Sequence, residues 1–403
     1  MNKKDVISSI GSEAVTGRKK LNIPWPKIIL SLTLLATIIG ALVSTKTLAA
    51  INKNIAAVKE AVRPANVKIV KSTTPNCQDC FNIETAVADF KKLNIKVEEE
   101  KTLAFDSPEA SSFIKQLTIK KVPTYFVTGE VTKNYLENFI KSSGEVRDNT
   151  FIFTRLSPVF IDTETKQEMG RVRATLITDS SCLQCTDTKI IVENFKKAGV
   201  KVTETKEFAW DSLDAQNIIS QYKITRVPTF IFSPEFDLYD SVKISWSNFG
   251  TVENNRTYIA RNLPLPYRDL SKGQIIGLVD LIYLTDSSCS DCYKADAVQK
   301  PILKQGYGVG IRSEQTVDVL SGKGQGLISK YKITKIPTIL LSPEVDQYAN
   351  LKNVWKNVGT VESDNWYVFR EMQQLKGVVY KDLTTNQIVG RVQPSSTPSG
   401  AKQ

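Results

Sequence analysis

The sequence predicts an α/β protein made of three tandem domains of one kind, which follow a single N-terminal transmembrane helix. Three observations carry this prediction. The motif Cys-x-x-Cys occurs three times, in the segments TTPNCQDC, TDSSCLQC and TDSSCSDC. Each copy is followed at a nearly constant distance by a proline in a similar apolar segment. Short β-rich runs alternate with amphipathic helical stretches around both features, which predicts in each domain a central mixed β-sheet flanked by helices.

The composition is that of a folded globular protein, and it excludes several kinds of site. The 403 residues are 41% hydrophobic and 24% charged, and they suffice for two to four domains. All six cysteines lie in the three motifs, and the chain has no histidine. Histidine-dependent nucleophilic sites and mixed Cys/His zinc sites are therefore excluded. A zinc site would need two motifs to meet across more than a hundred residues, so we predict neither a metal site nor a cofactor.

The formal net charge of +11 does not favour nucleic-acid binding. Part of the surplus lies in residues 1–27, and the later basic residues are interspersed with acidic ones. No basic stripe with interleaved aromatic residues is present. A lysine-rich, solvated surface is the better interpretation.

An uncharged run at residues 28–45, IILSLTLLATIIGALVST, predicts one transmembrane helix. The basic segment 1–27 before it is predicted to be cytoplasmic, and the chain after residue 46 extracytoplasmic, in the periplasm or at the cell surface. A cleaved signal peptide is the alternative. The apolar core is longer than that of most signal peptides, and TLAA is a poor cleavage site, so we favour an uncleaved anchor.

Residues 46–65 are predicted to form a helical stalk. Their apolar residues follow an a/d heptad spacing, and Pro64 ends the pattern. Two heptads are too few for a coiled coil, so a stalk that lifts the rest of the chain off the membrane is favoured over a dimer zipper. The apolar positions are Leu48, Ile51, Ile55, Val58 and Val62.

Matching spacings define three modules at residues 66–173, 174–279 and 280–392, joined without a flexible linker. Each first cysteine is followed by a proline after 46 or 48 residues, then by a glycine, an arginine, and an Asp and a Gly eight residues apart. Residues 393–403 form a Pro/Ser tail that is predicted to be disordered. The shared positions are Pro123, Pro228 and Pro337; Gly144, Gly250 and Gly359; and Arg155, Arg261 and Arg370.

Each Cys-x-x-Cys motif is predicted to lie between the first strand and the first helix of its module, with its first cysteine at the helix N-terminus. Unpaired N–H groups and the helix dipole would stabilise a thiolate there, and the second cysteine would lie one turn behind it. This layout suits thiol–disulfide exchange. The attacking residues would be Cys77, Cys182 and Cys289, and the resolving residues Cys80, Cys185 and Cys292. An aspartate between the cysteines, Asp79 or Asp291, would disfavour the thiolate in modules 1 and 3.

The strand, the Cys-x-x-Cys motif, the helix and then segments such as YKITKIPTILL resemble the thioredoxin family over about the first 65 residues of each module. The resemblance implies cis peptide bonds before Pro123, Pro228 and Pro337, beside the cysteines, where these prolines would help to dock an extended substrate backbone. It also implies a protein thiol–disulfide oxidoreductase without a cofactor. Its partners would be thiols or disulfides of exported proteins and a redox partner in the membrane or outside the cytoplasm.

Several features depart from the family pattern. Asn76, Ser181 and Ser288 stand where thioredoxins usually carry a tryptophan, and no clear counterpart of the buried proton-relay acid is found. Pro301 and the segment SGKGQG predict irregular helices in module 3. The segment from Gly144 to Gly170, with its two copies, is expected to add strands to the edge of each sheet.

Two alternatives to exchange chemistry remain. The modules could form a non-catalytic surface scaffold whose Cys-x-x-Cys disulfides are structural, as is plausible outside the cytoplasm. A disulfide that closes so short a loop gains little chain entropy, however, so an oxidoreductase is favoured. Capture of copper or another soft metal by paired thiols is the less favoured option.

Overall fold

The computed structural model describes residues 25–390. The predicted span 28–45 and most of the predicted stalk belong to one continuous helix, α1 (Trp25–Val62), of 38 residues. Its stretch Leu34–Val62 is long and apolar enough to cross a membrane, and no part of it is buried against the protein. A signal sequence near an N-terminus can meet the same criterion of length and apolar composition. Most of the basic segment 1–27 and the whole predicted tail 393–403 lie outside the described residues.

The three modules have nearly the same element order. Module 1 comprises β1 (Ala65–Thr73), α2 (Ile83–Lys91), β2 (Ile95–Ala104), α3 (Pro108–Gln116), β3 (Lys121–Val122), β4 (Thr124–Gly129), α4 (Glu137–Ser143), β5 (Gly144–Arg147), β6 (Thr150–Phe153), β7 (Phe160–Asp162) and β8 (Glu168–Met169). Module 2 comprises β9 (Val172–Thr178), α5 (Thr188–Lys197), β10 (Val202–Ala209), α6 (Leu213–Tyr222), β11 (Arg226–Val227), β12 (Thr229–Phe232), α7 (Asp240–Lys243), β13 (Gly250–Val252), β14 (Tyr258–Ala260), β15 (Tyr267–Asp269) and β16 (Gln274–Ile276). Module 3 comprises β17 (Leu278–Thr285), α8 (Ala295–Pro301), β18 (Gly310–Asp318), α9 (Gly322–Tyr331), β19 (Lys335–Ile336), β20 (Thr338–Leu341), α10 (Ala349–Trp355), β21 (Gly359–Val361), β22 (Tyr367–Phe369), β23 (Tyr380–Asp382) and β24 (Gln387–Val389).

Each module contains a five-stranded mixed sheet. In module 1 the strand order is β2-β1-β4-β6-β5, and the other two sheets repeat it as β10-β9-β12-β14-β13 and β18-β17-β20-β22-β21. The first two strands of each module are parallel and joined by a helix, whereas the remaining pairs are antiparallel. This is the mixed sheet of a thioredoxin-like domain, and three tandem copies of it confirm the predicted fold class.

Apolar residues on both faces of each sheet hold the modules together. In module 1, alternate side chains of β4 enter different clusters: Tyr125 packs with Phe90 and Phe151 on one face, and Phe126 packs with Ile152 on the other. All five side chains are at most 2% exposed. Modules 2 and 3 divide their buried residues between two clusters in the same way. The helices are thus fixed to the sheet by hydrophobic burial rather than by surface ion pairs.

The last hairpin of each module forms a small second sheet. We call this hairpin, which is β7–β8, β15–β16 or β23–β24, the closing hairpin. Its first strand pairs with the short strand before the proline, β3, β11 or β19. The expectation that the repeated segment extends the edge of the main sheet is therefore only half right. It supplies the last two strands at one edge of the main sheet, β6 and β5, β14 and β13, or β22 and β21, but its closing hairpin joins a separate sheet.

The repeated glycines and aspartates have local physical reasons. A Cβ atom at Gly144, Gly250 or Gly359 would lie within 2.3 Å of a carbonyl oxygen on the neighbouring strand, so only glycine fits there. In the closing hairpin of module 1, the carboxylate of Asp162 accepts hydrogen bonds from the N–H groups of Glu164 and Thr165 and so closes the turn. Asp269 and Asp382 do the same in the other hairpins.

Module 3 is irregular in its first helix, as predicted, but not in its second. α8 ends at Pro301 and continues as a π-helical segment, Ile302–Gly306. A proline at this position cannot donate to the preceding turn. The glycine-rich segment nevertheless forms the regular helix α9, because the hydroxyl of Ser321 accepts the N–H of Gly324 at its start.

Candidate functional site

All six cysteines form disulfides within their own motifs, Cys77–Cys80, Cys182–Cys185 and Cys289–Cys292. In each motif the N–H of the second cysteine donates to the carbonyl of the first. We call these four-residue segments the CxxC turns. They lie between the first strand and the first helix of each module, as predicted.

The predicted position of the first cysteine at a helix N-terminus is wrong. The helices α2, α5 and α8 begin at Ile83, Thr188 and Ala295, which is six residues after the first cysteine in every module. In modules 1 and 2 the reason is local. Asn82 and Asp187 lie two residues after the motif and are the N-cap residues of α2 and α5. Their side chains accept hydrogen bonds from backbone N–H groups and so fix the helix start at the next residue. Because the effect of a helix dipole fades within one turn, it does not act on the first sulfur.

The expected exposure of the two sulfurs is also reversed. Cys77, Cys182 and Cys289 are buried, with exposed fractions of 6%, 6% and 8%, whereas the second cysteine of each pair is half-buried. In module 1 the first cysteine packs in an apolar cluster with Val122 and with Ile161 of the closing hairpin. The hairpin thus packs against the first cysteine, and the second cysteine, at the margin of the same cluster, is the more exposed residue of the pair.

The three prolines follow cis peptide bonds, as predicted, but the backbone edge of the short strand before each proline is already paired. The bonds Val122–Pro123, Val227–Pro228 and Ile336–Pro337 are cis, which confirms that prediction. The residue before each proline is paired with the closing hairpin: Val122 with Ile161, Val227 with Arg268, and Ile336 with Lys381. The backbone edge on which a substrate was expected to dock is therefore occupied by the module itself.

Modules 2 and 3 each carry a buried carboxylate three residues before the first cysteine. Asp179 accepts hydrogen bonds from the N–H and the hydroxyl of Ser181, at 3.0 and 2.6 Å, and pairs with the guanidinium of Arg268 at 2.8 Å. Asp286 repeats this arrangement, accepting from Ser288 at 2.9 and 2.5 Å and from Lys381 at 2.8 Å. Both aspartate side chains are 1% exposed.

These contacts keep the buried carboxylates ionised. Burial alone would raise the pKa of Asp179, but the hydrogen bonds from Ser181 and Arg268 outweigh it, so the pKa lies below its ordinary value. Burial would likewise raise the pKa of Asp286. The hydrogen bonds from Lys381 and Ser288 outweigh it, so this pKa also lies below its ordinary value.

Module 1 has neither partner of this ion pair. Thr74 stands in the position of the two aspartates and is buried, and Ile161 stands in the position of Arg268 and Lys381. No local motif in the sequence predicts these pairs. A signal was present, since both members change together between the repeats, but the two positions are about 90 residues apart within each module.

The aspartate between the cysteines of module 1 is not a free negative charge. Asp79 accepts two hydrogen bonds from Arg171, at 2.7 and 3.1 Å, and Arg171 also pairs with Glu168. The hydrogen bond from Arg171 outweighs burial and holds the pKa of Asp79 below its ordinary value. The repulsion that Asp79 was expected to exert on a Cys77 thiolate is therefore offset by a cation.

The same groups are also the best candidates for metal ligands in the described part of the chain. One ligand atom each of Cys77, Asp79 and Glu168 lies within 4.8 Å of the others. Arg171 is paired with both carboxylates, and the sulfur of Cys77 is bonded to Cys80. The arrangement suits an ion-pair network around a disulfide better than a metal site.

No protein-family model and no curated protein matches this chain. Among solved structures, human ERp44 aligns at 11% identity, covering 79% of this chain and 94% of its own, with a TM-score of 0.15. ERdj5 form II aligns at 10% identity, covering 69% of this chain but only 38% of its own length, with a TM-score of 0.15. A protein disulfide oxidoreductase from Aeropyrum pernix k1 aligns at 16% identity, covering 47% and 88%, with a TM-score of 0.14. At such TM-scores the alignments add nothing to the strand order, on which the fold assignment rests.

Proposed function

We propose that the protein is a membrane-anchored, extracytoplasmic thiol–disulfide oxidoreductase that acts on exported proteins through its three CxxC turns. One observation carries the proposal: every module holds a disulfide within one CxxC turn and a cis-proline at a matching position, with the first cysteine buried and the second half-buried. Nothing about stability requires such a short loop to be closed by a disulfide. An accessible sulfur with an adjacent second sulfur is what exchange requires.

Because the second cysteine of each pair is the more exposed, we assign the attacking role to the second cysteine and the resolving role to the first, the reverse of what the sequence suggested. A substrate thiolate attacks the half-buried sulfur of Cys80, Cys185 or Cys292. The disulfide breaks, its electron pair leaves on the buried sulfur of Cys77, Cys182 or Cys289, and a mixed disulfide forms. A second substrate thiolate then attacks the substrate sulfur of the mixed disulfide and releases the CxxC sulfur as a thiolate. The substrate dithiol has lost two electrons and the CxxC pair has gained them; the reverse sequence reduces a substrate disulfide.

The location and the partners belong to the same proposal. The apolar part of α1 would anchor the chain through residues 28–45, with the basic residues 1–27 in the cytoplasm. Substrates would be thiols or disulfides of exported proteins. A redox partner in the membrane or outside the cytoplasm would return each pair to its starting state. The closing hairpin covers the docking edge at Pro123, Pro228 and Pro337, so these prolines would bind substrate backbone only if the hairpin moves.

A trapping experiment tests the function and the roles together. Full-length chains carry serine at the three first cysteines (Cys77→Ser, Cys182→Ser, Cys289→Ser) or at the three second cysteines (Cys80→Ser, Cys185→Ser, Cys292→Ser). Both are expressed in the membrane and tested for mixed disulfides with exported proteins. We expect the first-cysteine variant to accumulate mixed disulfides and the second-cysteine variant to trap far fewer.

The controls separate the possible failures. A chain with all six cysteines replaced shows the background. Stronger trapping by the second-cysteine variant would support exchange but restore the roles that the sequence suggested. No trapping by either variant would contradict the oxidoreductase.

A scaffold with structural disulfides is the second candidate, and a specific observation favours it. Each first cysteine is buried, and each docking edge is already paired. Treating the folded chain with dithiothreitol and then with an alkylating label distinguishes the two. Sulfurs that are labelled without denaturant favour the oxidoreductase, and pairs that react only after denaturation favour the scaffold.

A further inference from the structure

We propose that Asp179 with Arg268, and Asp286 with Lys381, are positioning pairs that set the thiolate stability of the CxxC turns in modules 2 and 3, whereas module 1 has uncharged residues at both positions. The inference deepens the proposed function, since it names residues that tune the exchanging sulfurs without touching a substrate.

The first support is the placement of the cation. Arg268 lies on the closing hairpin opposite Val227, the residue before the cis-proline, and its guanidinium reaches Asp179 at 2.8 Å and the hydroxyl of Ser181 at 2.8 Å. Ser181 directly precedes Cys182. Arg268 therefore connects three segments. Its backbone pairs with the strand before the proline, and its side chain reaches from the closing hairpin to the residues that precede the CxxC turn. Trp210 covers the guanidinium, with its ring centroid 4.7 Å away.

The second support is the recurrence of the arrangement with a different cation. In module 3, Lys381 lies opposite Ile336, again the residue before the proline, and its ammonium reaches Asp286 at 2.8 Å. Asp286 in turn accepts both donors of Ser288, the residue before Cys289. Arginine and lysine share only charge and length. What the two modules preserve is therefore a buried carboxylate paired with a cation from the hairpin.

The third support is module 1, where both members change together. Replacing the aspartate alone would leave a buried cation, and replacing the cation alone would leave a buried carboxylate, each at a high cost. Thr74 and Ile161 avoid both costs, and Ile161 packs in the same apolar cluster as Cys77. The chain thus contains a natural module in which both positions are uncharged.

The pair is electrically neutral, and each half has an opposite effect on a nearby thiolate. An unpaired carboxylate near the sulfurs disfavours the thiolate, whereas an unpaired cation favours it. A purely structural clamp would respond in the same direction to the loss of either half. The signs of the thiol pKa shifts that the two single substitutions cause therefore distinguish tuning by charge from a purely structural role.

The test measures the pKa of the reactive thiol in module 2 by the pH dependence of iodoacetamide alkylation. It uses the full chain with Cys77, Cys80, Cys289 and Cys292 replaced by serine and the remaining pair reduced. The charged groups near this turn include Asp179, Arg268, Asp187, which is the N-cap residue of α5, and the Lys189–Glu207 ion pair, whose glutamate accepts a hydrogen bond from Thr178. Asp187 is unchanged in every variant, so it does not affect the comparison.

We expect Arg268→Met to raise the thiol pKa by about one unit and Asp179→Asn to lower it by about one unit. The double variant Asp179→Thr with Arg268→Ile copies module 1, so it should fold even where a single variant does not, and its pKa should return close to the starting value. Arg268→Lys copies module 3 and should leave the pKa unchanged. Ile161→Met is the matched control at the same position of module 1. In a full chain that keeps only Cys77 and Cys80, it should leave the pKa of the module 1 thiol unchanged.

Shifts of the same sign in both single variants, or no shift, would overturn the proposal. If the single variants do not fold, a double variant that folds with a thiol pKa shifted by a full unit or more would overturn it as well. The measurement needs no substrate and no redox partner. Its failure would therefore leave thiol–disulfide exchange standing, and a chain that exchanges with no protein could still show the opposite shifts.

Discussion

Asp79 lies close to the buried sulfur of module 1, with its Oδ1 atom 3.7 Å from Cys77 Sγ. At this distance an unpaired carboxylate would strongly disfavour a thiolate. Arg171 pairs with it and also follows directly on Gly170, at the junction with module 2. The residue after the corresponding glycine of module 2 is Leu278, and in that module no aspartate stands between the cysteines. The aspartate and its cation are thus both present in module 1 and both absent in module 2.

We predict that Arg171→Met raises the thiol pKa of the module 1 pair by about one unit, because two carboxylates then lie near the sulfurs without a cation. The rate of alkylation of the reduced chain, followed from pH 5 to 10 with the other four cysteines replaced, gives this pKa. Arg173→Met, an exposed arginine two residues away, is the matched control. An unchanged pKa in the Arg171 variant would show that solvent already screens Asp79.

The buried aspartates predict how stability depends on pH. The pKa of Asp179 is lower in the folded chain than its ordinary value, since its hydrogen bonds outweigh burial. A carboxyl group of this kind contributes stability that is fully present above its unfolded pKa of about 3.9 and is lost as the pH falls toward the folded pKa. The contribution should therefore be constant from pH 7 to about pH 5 and should decrease below about pH 4.

The variant Asp179→Thr with Arg268→Ile lacks this group and tests the prediction. Relative to this variant, the free energy of unfolding of module 2 in the natural chain should fall between pH 5 and pH 3. Denaturant titration with pulsed hydrogen exchange, read on peptides of module 2, measures the difference. Parallel curves for the two chains across this range would refute the assignment, and peptides of module 1 serve as the internal reference.

At the scale of elements, one tyrosine in each module fixes the start of its first strand. The hydroxyl of Tyr239 donates to the carbonyl of Gly170 and accepts the N–H of Lys201. Tyr348 repeats both bonds with Gly277 and Gly310. Since Gly170 and Gly277 follow the closing hairpin of the preceding module, these bonds fasten consecutive modules without a linker.

Tyr239→Phe should lower the free energy of unfolding of module 2 by about 1–3 kcal/mol, because a buried carbonyl and a partly buried N–H both lose their partner. Tyr135→Phe is the comparison in module 1. Its hydroxyl donates one bond to Arg63 in a half-buried position, so its loss should have a smaller effect. Denaturant unfolding of the two variants measures both values. Equal effects would mean that the second bond of Tyr239 contributes nothing.

The closing hairpin has the largest consequence among the elements. It pairs with β3, β11 or β19, and in module 1 its residue Ile161 packs in the same cluster as the buried Cys77. It also carries the residue that differs most between the modules, Ile161, Arg268 or Lys381. Access to each disulfide and the charge beside it are thus controlled by the same hairpin.

At the scale of the whole molecule, α1 connects the modules to a segment long and apolar enough to span a membrane. We predict that the N-terminus faces the cytoplasm and the three modules lie outside. Protease added to intact cells or spheroplasts should digest the modules and spare a tag on residues 1–27. Permeabilised cells, in which both ends are digested, provide the control. Protected modules would reverse the orientation, and loss of α1 from the mature chain would show that it is a cleaved signal.

The sequence by itself determined the repeat, the two partners of each disulfide and the alternation of strands and helices. These features depend on near neighbours along the chain. Two cysteines three residues apart can bond with little rearrangement, and the spacing of Val87 and Phe90 already places both on one face of α2. The spacing between Cys77 and Pro123, repeated twice, was enough to identify the domain and to predict the cis bonds.

Only the tertiary structure decided which sulfur is accessible, what pairs with the edge before each proline, and which charges meet. The helix start was missed because Asn82 or Asp187, which follows the motif, caps the helix and so sets its first residue after the CxxC turn. The ion pairs join residues 89, 95 and 92 positions apart: Asp179 with Arg268, Asp286 with Lys381, and Asp79 with Arg171. Burial and charge pairing depend on which distant segments the sheets bring together, and no local pattern in the sequence specifies that.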